Sequence, residues 1–142
     1  MTGTRRNSGL TGKTVVFDTW AWWEVLHASP IGARLAQRYL EASDVRVLTA
    51  DLALVEISAK LARDRREPEI ERALGAMEGA SEVIPISRTA AAHAGPLLTE
   101  LRRMDRDASL ADAVTLSVAR AAGAIRISGD PCFRGQTDVV DR

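Results

Sequence analysis

Four acidic residues, Asp18, Glu56, Asp112 and Asp130, fall where an apolar run ends or where a helix with few other polar residues begins. Carboxylates gathered in a partly dry pocket repel one another by roughly 1 to 4 kcal/mol per pair unless they are protonated or share a cation. Oxygen ligands with no His or Cys among them suit Mg²⁺ or Mn²⁺. Such an ion lowers the pKa of a bound water, orients it against a phosphodiester and offsets charge on the phosphorus oxygens, so no protein nucleophile is required. Each acid also has an ordinary structural role. Asp18 caps a helix beginning at the tryptophans. Glu56 pairs with Lys60 one turn on, worth about 0.3 kcal/mol. Asp112 closes a capping box opened by Ser109, and Asp130 sits in the turn sequence Ser128-Gly129-Asp130-Pro131. No Lys or Arg is adjacent in sequence to any of the four. Asp112 is also flanked by Leu110, Ala113, Val114, Leu116 and Val118, a helix apolar nearly all round, where a carboxylate needs a partner.

The elements that must position these acids are readable. Short Val/Ile-rich runs at Thr14–Phe17, Val45–Leu48, Glu82–Ile86, Ala124–Ile127 and, weakly, Val139–Val140 predict strands. Helices are predicted from Ser29-Pro30 through Leu40, over Asp51–Arg63, from Glu67 through Met77, and over Ser109–Ala122. The spacing of Ala90, Ala94, Leu97, Leu98 and Leu101 predicts another, kinked or split at Gly95-Pro96. Connections this long between strands imply parallel pairing with helices on both faces. The expected architecture is therefore a single three-layer α/β/α domain around a mostly parallel sheet of four to five strands. Such sheets bind ligands outside the carboxyl ends of their strands, and all four acids can reach that rim.

With 142 residues, 46% of them hydrophobic, the chain is sized for one domain with a real core. Residues 1–13 are expected to be a flexible N-terminal tail and 14–142 the domain. Nineteen basic and nineteen acidic residues cancel, so nucleic-acid binding must be local rather than driven by a global field. The single Cys132 excludes a disulfide framework and a cysteine-rich zinc site. No secretion signal or membrane-length apolar run is present, and a cytoplasmic location is expected.

Val16-Phe17-Asp18-Thr19, Leu54-Val55-Glu56-Ile57, Leu110-Ala111-Asp112-Ala113 and Ile127-Ser128-Gly129-Asp130-Pro131-Cys132-Phe133 resemble, in order and spacing, the motifs of PIN-domain proteins. Within that family they resemble VapC-type toxin ribonucleases. The likeness runs from about residue 14 to 140, with the last two acids eighteen positions apart. It implies a PIN-like fold and endonucleolytic RNA cleavage by in-line water attack, leaving a 5′-phosphate and a 3′-hydroxyl. It further implies that Asp18, Asp112 and Asp130 hold Mg²⁺ or Mn²⁺ directly or through water, and that Glu56 binds or activates water. Ser128, Thr19 and Arg134 would position substrate. A VapB-like antitoxin and homodimerisation are the partners the resemblance implies. One departure stands out: Cys132 occupies a place where the family frequently has another acid, which puts a second metal ion in doubt.

RNA bound at an acidic centre needs local positive charge. Arg102, Arg103, Arg106 and Arg134 are candidates, against the alternative of a solvated helix face. Trp20, Trp22 and Trp23 cannot all enter one core stripe of a short helix; an exposed one could stack RNA bases or contact an antitoxin. His27 and His93 read as packed or surface residues. Two rivals remain. A PIN scaffold that binds RNA or protein without catalysis is compatible with Cys132. A receiver-like signalling domain also binds Mg²⁺ at a sheet rim, but here only one acid follows the first strand and no Lys follows Lys60.

Overall fold

The computed structural model describes residues 13–129 and the backbone of 139–140. Of the expected tail only Lys13 is described, and it opens the first strand. Strands β1 (Lys13–Phe17), β2 (Val45–Ala50), β3 (Glu82–Ile84), β4 (Ile125–Ile127) and β5 (Val139–Val140) form one sheet in the order β3-β2-β1-β4-β5. Every pairing in it is parallel, as the long connections require. β3 stops two residues short of the predicted Ile86 because Pro85 has no N–H to give to the ladder.

Helices α1 (Thr19–Leu26), α2 (Pro30–Leu35, continued by a π-helical turn at Ala36–Leu40), α3 (Asp51–Arg63) and α4 (Ile70–Ala80) cover one face. Alternation along the strands sends Val15, Phe17, Val47 and Ile127 into that layer, where they pack with Ala21, Trp22, Tyr39, Ile57 and Met77. Phe17 meets Trp22 and Tyr39 edge-on, with ring centroids 5.2 and 5.9 Å away. Full burial of each such side chain contributes about 1.5–3 kcal/mol. α1 and α2 approach so closely that a Cβ at Gly32 would lie 1.9 Å from the Glu24 carbonyl oxygen. Only glycine fits there.

Val16 and Leu48 point the other way, onto Ala119 and Ala124, beneath α5 (Arg88–Met104) and α6 (Leu110–Ala121). The expected three-layer architecture is thus present. Of the predicted kink or split at Gly95-Pro96, the split is absent: α5 runs continuously through Pro96. Both Pro96 and Ala92, whose carbonyl loses its donor to the proline ring, are on the exposed side, where solvent can take that bond. The buried stripe of Ala90, Ala94, Leu97 and Leu101 keeps the helix docked. Among the described residues no helix is long and apolar enough to cross a membrane.

Candidate active site

Asp18 follows β1 directly and is 3% exposed. It is the N-cap of α1, its Oδ1 accepting from the Ala21 N–H at 2.8 Å, so the ordinary role is real. Its Oδ2, however, faces the pocket side and accepts from Arg126 Nη2 at 3.1 Å. α3 follows β2 without a loop and carries Glu56 in its second turn. Glu56 does not pair with Lys60 as its ordinary reading supposed. Its Oε1 accepts from Thr19 Oγ1 at 2.5 Å, while Lys60 Nζ lies over the Trp23 ring, 4.6 Å from the centroid.

Asp112 forms the capping box read from the sequence: Ser109 N–H donates to Oδ2 at 2.8 Å and Asp112 N–H donates to Ser109 Oγ at 3.1 Å. Its Oδ1 lies 3.7 Å from Arg126 Nη2. The helix is buried over Thr115–Ala119, but Leu110 is 58% exposed, so its first turn opens to solvent rather than being enclosed. Asp18, Glu56 and Asp112 all line one pocket of about 320 Å³, together with Thr19, Trp20, Trp23, Lys60, Arg63 and Arg126.

The electrostatics follow from this arrangement. Burial pushes the Glu56 carboxyl above its ordinary value of 4.5, the Thr19 hydroxyl pulls it down, Asp112 raises it, Arg126 lowers it and Asp18 raises it. Arg126 is the residue that sequence reasoning missed. It sits in β4 in register with Val16, on the α6 face, and is 2% exposed. Its Nη1 donates to the Asp112 main-chain carbonyl at 2.7 Å. The signal was available: a charged residue inside a short strand at the centre of a parallel sheet must be buried, and a buried charge needs a partner.

Among the tryptophans, Trp22 is core, its Nε1 donating to Thr49 Oγ1 at 3.0 Å. Trp20 and Trp23 line the pocket. The Trp20 indole rests against Gly129, where an added Cβ would lie 2.5 Å from Cε2. Ser128 is wholly buried and is not among the residues lining the pocket. Arg102, Arg103 and Arg106 do not line it either, and Arg102 Nε donates to the Ala108 carbonyl at 3.0 Å. Among the described residues the cations that do are Lys60, Arg63 and Arg126. His27 is a surface residue against Trp23 and Arg66, and His93 is exposed. Asp130, Cys132 and Arg134 lie outside the described residues.

Against a hard divalent cation the donor type fits, since Asp18, Glu56 and Asp112 offer carboxylate oxygens to one pocket. Among the described residues no group of three or more acidic, His or Cys side chains is placed to hold one ion. Asp18 and Asp112 instead converge on the Arg126 guanidinium.

Fold and pocket together define a three-layer α/β/α domain with acids at the carboxyl ends of its parallel strands. The PIN domain family model matches residues 15–136, and the chain belongs to that family. No curated protein sequence matches it. Among solved structures it is similar to VapBC2 from Rickettsia felis bound to a promoter DNA fragment, with TM-score 0.71, 16% identity, and 91% of this chain and 97% of that chain covered. It is also similar to VapBC-1 from nontypeable Haemophilus influenzae, with TM-score 0.68, 17% identity and coverage of 91% and 96%. A third is Mycobacterium tuberculosis VapC20, described as a sarcin-ricin loop cleaving toxin, with TM-score 0.66, 20% identity and coverage of 88% and 98%. At these identities the likeness is one of fold.

Proposed function

We propose that this chain is the toxin of a toxin–antitoxin pair, an endoribonuclease that hydrolyses RNA phosphodiesters with Mg²⁺ or Mn²⁺ as cofactor. The observation that carries the reading is the delivery of Asp18, Glu56 and Asp112, from three separate elements, to one pocket that also holds Lys60 and Arg63. Membership of the PIN family and the fold shared with a toxin described as cleaving the sarcin-ricin loop support it. A bound divalent ion would supply Lewis acidity at the scissile phosphate. The chain's own residues do the remaining work. Lys60 and Arg63 attract the RNA backbone, Trp20 and Trp23 offer faces on which bases stack, and Thr19 holds Glu56 in place. Glu56, with its raised proton affinity, takes a proton from the attacking water. Asp130 is proposed as the fourth acid, on the sequence motif alone.

Incubating structured RNAs with Mn²⁺ and either the natural chain or Asp18→Asn tests this. Metal-dependent cleavage is expected from the former only; cleavage retained by the variant refutes the site. The rate should rise with pH as Glu56 loses its proton, and Glu56→Gln should remove that acidic limb. An acidic limb unchanged in Glu56→Gln removes Glu56 as the base.

A VapB-like antitoxin is the proposed partner, since several similar structures are VapBC complexes. Trp20 and Trp23, but not the buried Trp22, are available to contact it. Homodimerisation and a cytoplasmic location are proposed with the same reading. Co-purification with a small DNA-binding protein, and growth arrest on expression of the chain alone, are the expected signs. A non-catalytic scaffold binding RNA or protein is favoured by one observation, the hold of Arg126 on Asp18 and Asp112. RNA binding without cleavage in Mn²⁺ would establish it.

A further inference from the structure

A full positive charge, 2% exposed, is an expensive thing to place in a central strand. Its position in β4 opposite Val16 is one at which an aliphatic side chain would complete the layer beneath α6. Instead the Arg126 guanidinium reaches Asp18 Oδ2 at 3.1 Å, Asp112 Oδ1 at 3.7 Å and the Asp112 carbonyl at 2.7 Å. These acceptors come from the end of β1 and the start of α6, two elements that a shared metal ion would otherwise have to clamp. One side chain thus meets, by charge and by geometry, the demand that two close carboxylates make for a cation.

We propose that Arg126 is a resident counter-cation that competes with the divalent ion for Asp18 and Asp112. The site is then assembled and partly neutralised before any metal arrives, and metal enters only by drawing these carboxylates off the guanidinium. The inference rests on the proposed function only in taking Mg²⁺ or Mn²⁺ to be the ion that competes. No bond is made or broken; a cation replaces a cation.

Isothermal titration of the whole chain with Mg²⁺, beside Arg126→Met, is the test. Arg126→Met should bind Mg²⁺ at least tenfold more tightly than the natural chain. It should also have a lower Tm in chelator, and gain more in Tm on addition of Mg²⁺. Equal or weaker binding by the variant, including no binding by either protein, overturns the proposal. If Arg126→Met does not fold, Mg²⁺ titration of the natural chain followed through the Arg126 guanidinium ¹⁵N resonances decides. They should shift, and their hydrogens exchange faster, in step with metal binding. Metal uptake with these resonances unmoved overturns it. The two readings fail separately. Tight metal binding by Arg126→Met with no RNA cleavage sinks the nuclease and leaves the counter-cation. Mg²⁺-dependent cleavage with metal affinity indifferent to residue 126 does the reverse.

Discussion

Glu56 and Asp18 face the same pocket, yet Glu56 is held by the neutral hydroxyl of Thr19 whereas Asp18 is held by the buried cation of Arg126. On the first wall, made by α1 and α3, the nearest lysine along the helix turns to Trp23 and leaves the Glu56 charge undercompensated. On the second, made by β4 and α6, Asp112 joins Asp18 on one guanidinium. Both walls carry carboxylates; their partners differ. Burial raises the proton affinity of Glu56, while Arg126 ties the end of β1 and the start of α6 to β4.

The sharpest way to break this contrast is to remove the cation. Arg126→Met should cost about 3–5 kcal/mol in urea unfolding, since it removes the cation paired with the buried Asp18. Adding Asp18→Asn to that variant should return part of the loss, a coupling that a double-mutant cycle measures. A cost below about 1 kcal/mol would mean the second wall does not depend on its ion pair. Ser109→Ala should cost about 1 kcal/mol in urea unfolding by opening the capping box that fixes Asp112. Lys60→Ala on the first wall should cost about 0.5–1 kcal/mol through the lost Trp23 contact, and should flatten the salt dependence of RNA binding.

Smallest in stability is Glu56→Gln, whose sign follows from linkage. The folded chain holds the Glu56 proton to higher pH than the unfolded chain does, so folding takes up a proton between 4.5 and the raised value, and stability falls as pH rises across that window. The variant is free of this loss. Its Tm at neutral pH should slightly exceed that of the natural chain, and the difference should vanish below pH 4.5. A lower Tm at every pH would show that the Thr19 bond outweighs the cost of the charge.

The sheet was legible because its apolar runs are bounded by charged residues, Gly and Pro, and because long connections admit only parallel pairing. Each of β1 to β4 starts or ends within two residues of its prediction. Asp18, Glu56 and Asp112 were legible for a related reason, since the topology sends strand ends and helix starts to one rim. What the sequence hid is tertiary. The Arg126–Asp18 pair spans 108 positions, so the absence of a neighbouring Lys or Arg in sequence said nothing about it. The Thr19–Glu56 bond spans 37. The helix is not split at Pro96 because the Ala92 carbonyl that loses its donor is on the exposed side, where solvent can take its place. Asp130 still stands on its motif.

The split among the indoles equips the molecule with a built-in optical gauge. Trp22 is sealed beside Thr49 and should emit at constant, blue-shifted wavelength, while Trp20, seated on Gly129, and Trp23, beneath Lys60, look into the cavity. Whatever fills that space, nucleotide or peptide, should register as a change in fluorescence from those two rings without any attached dye.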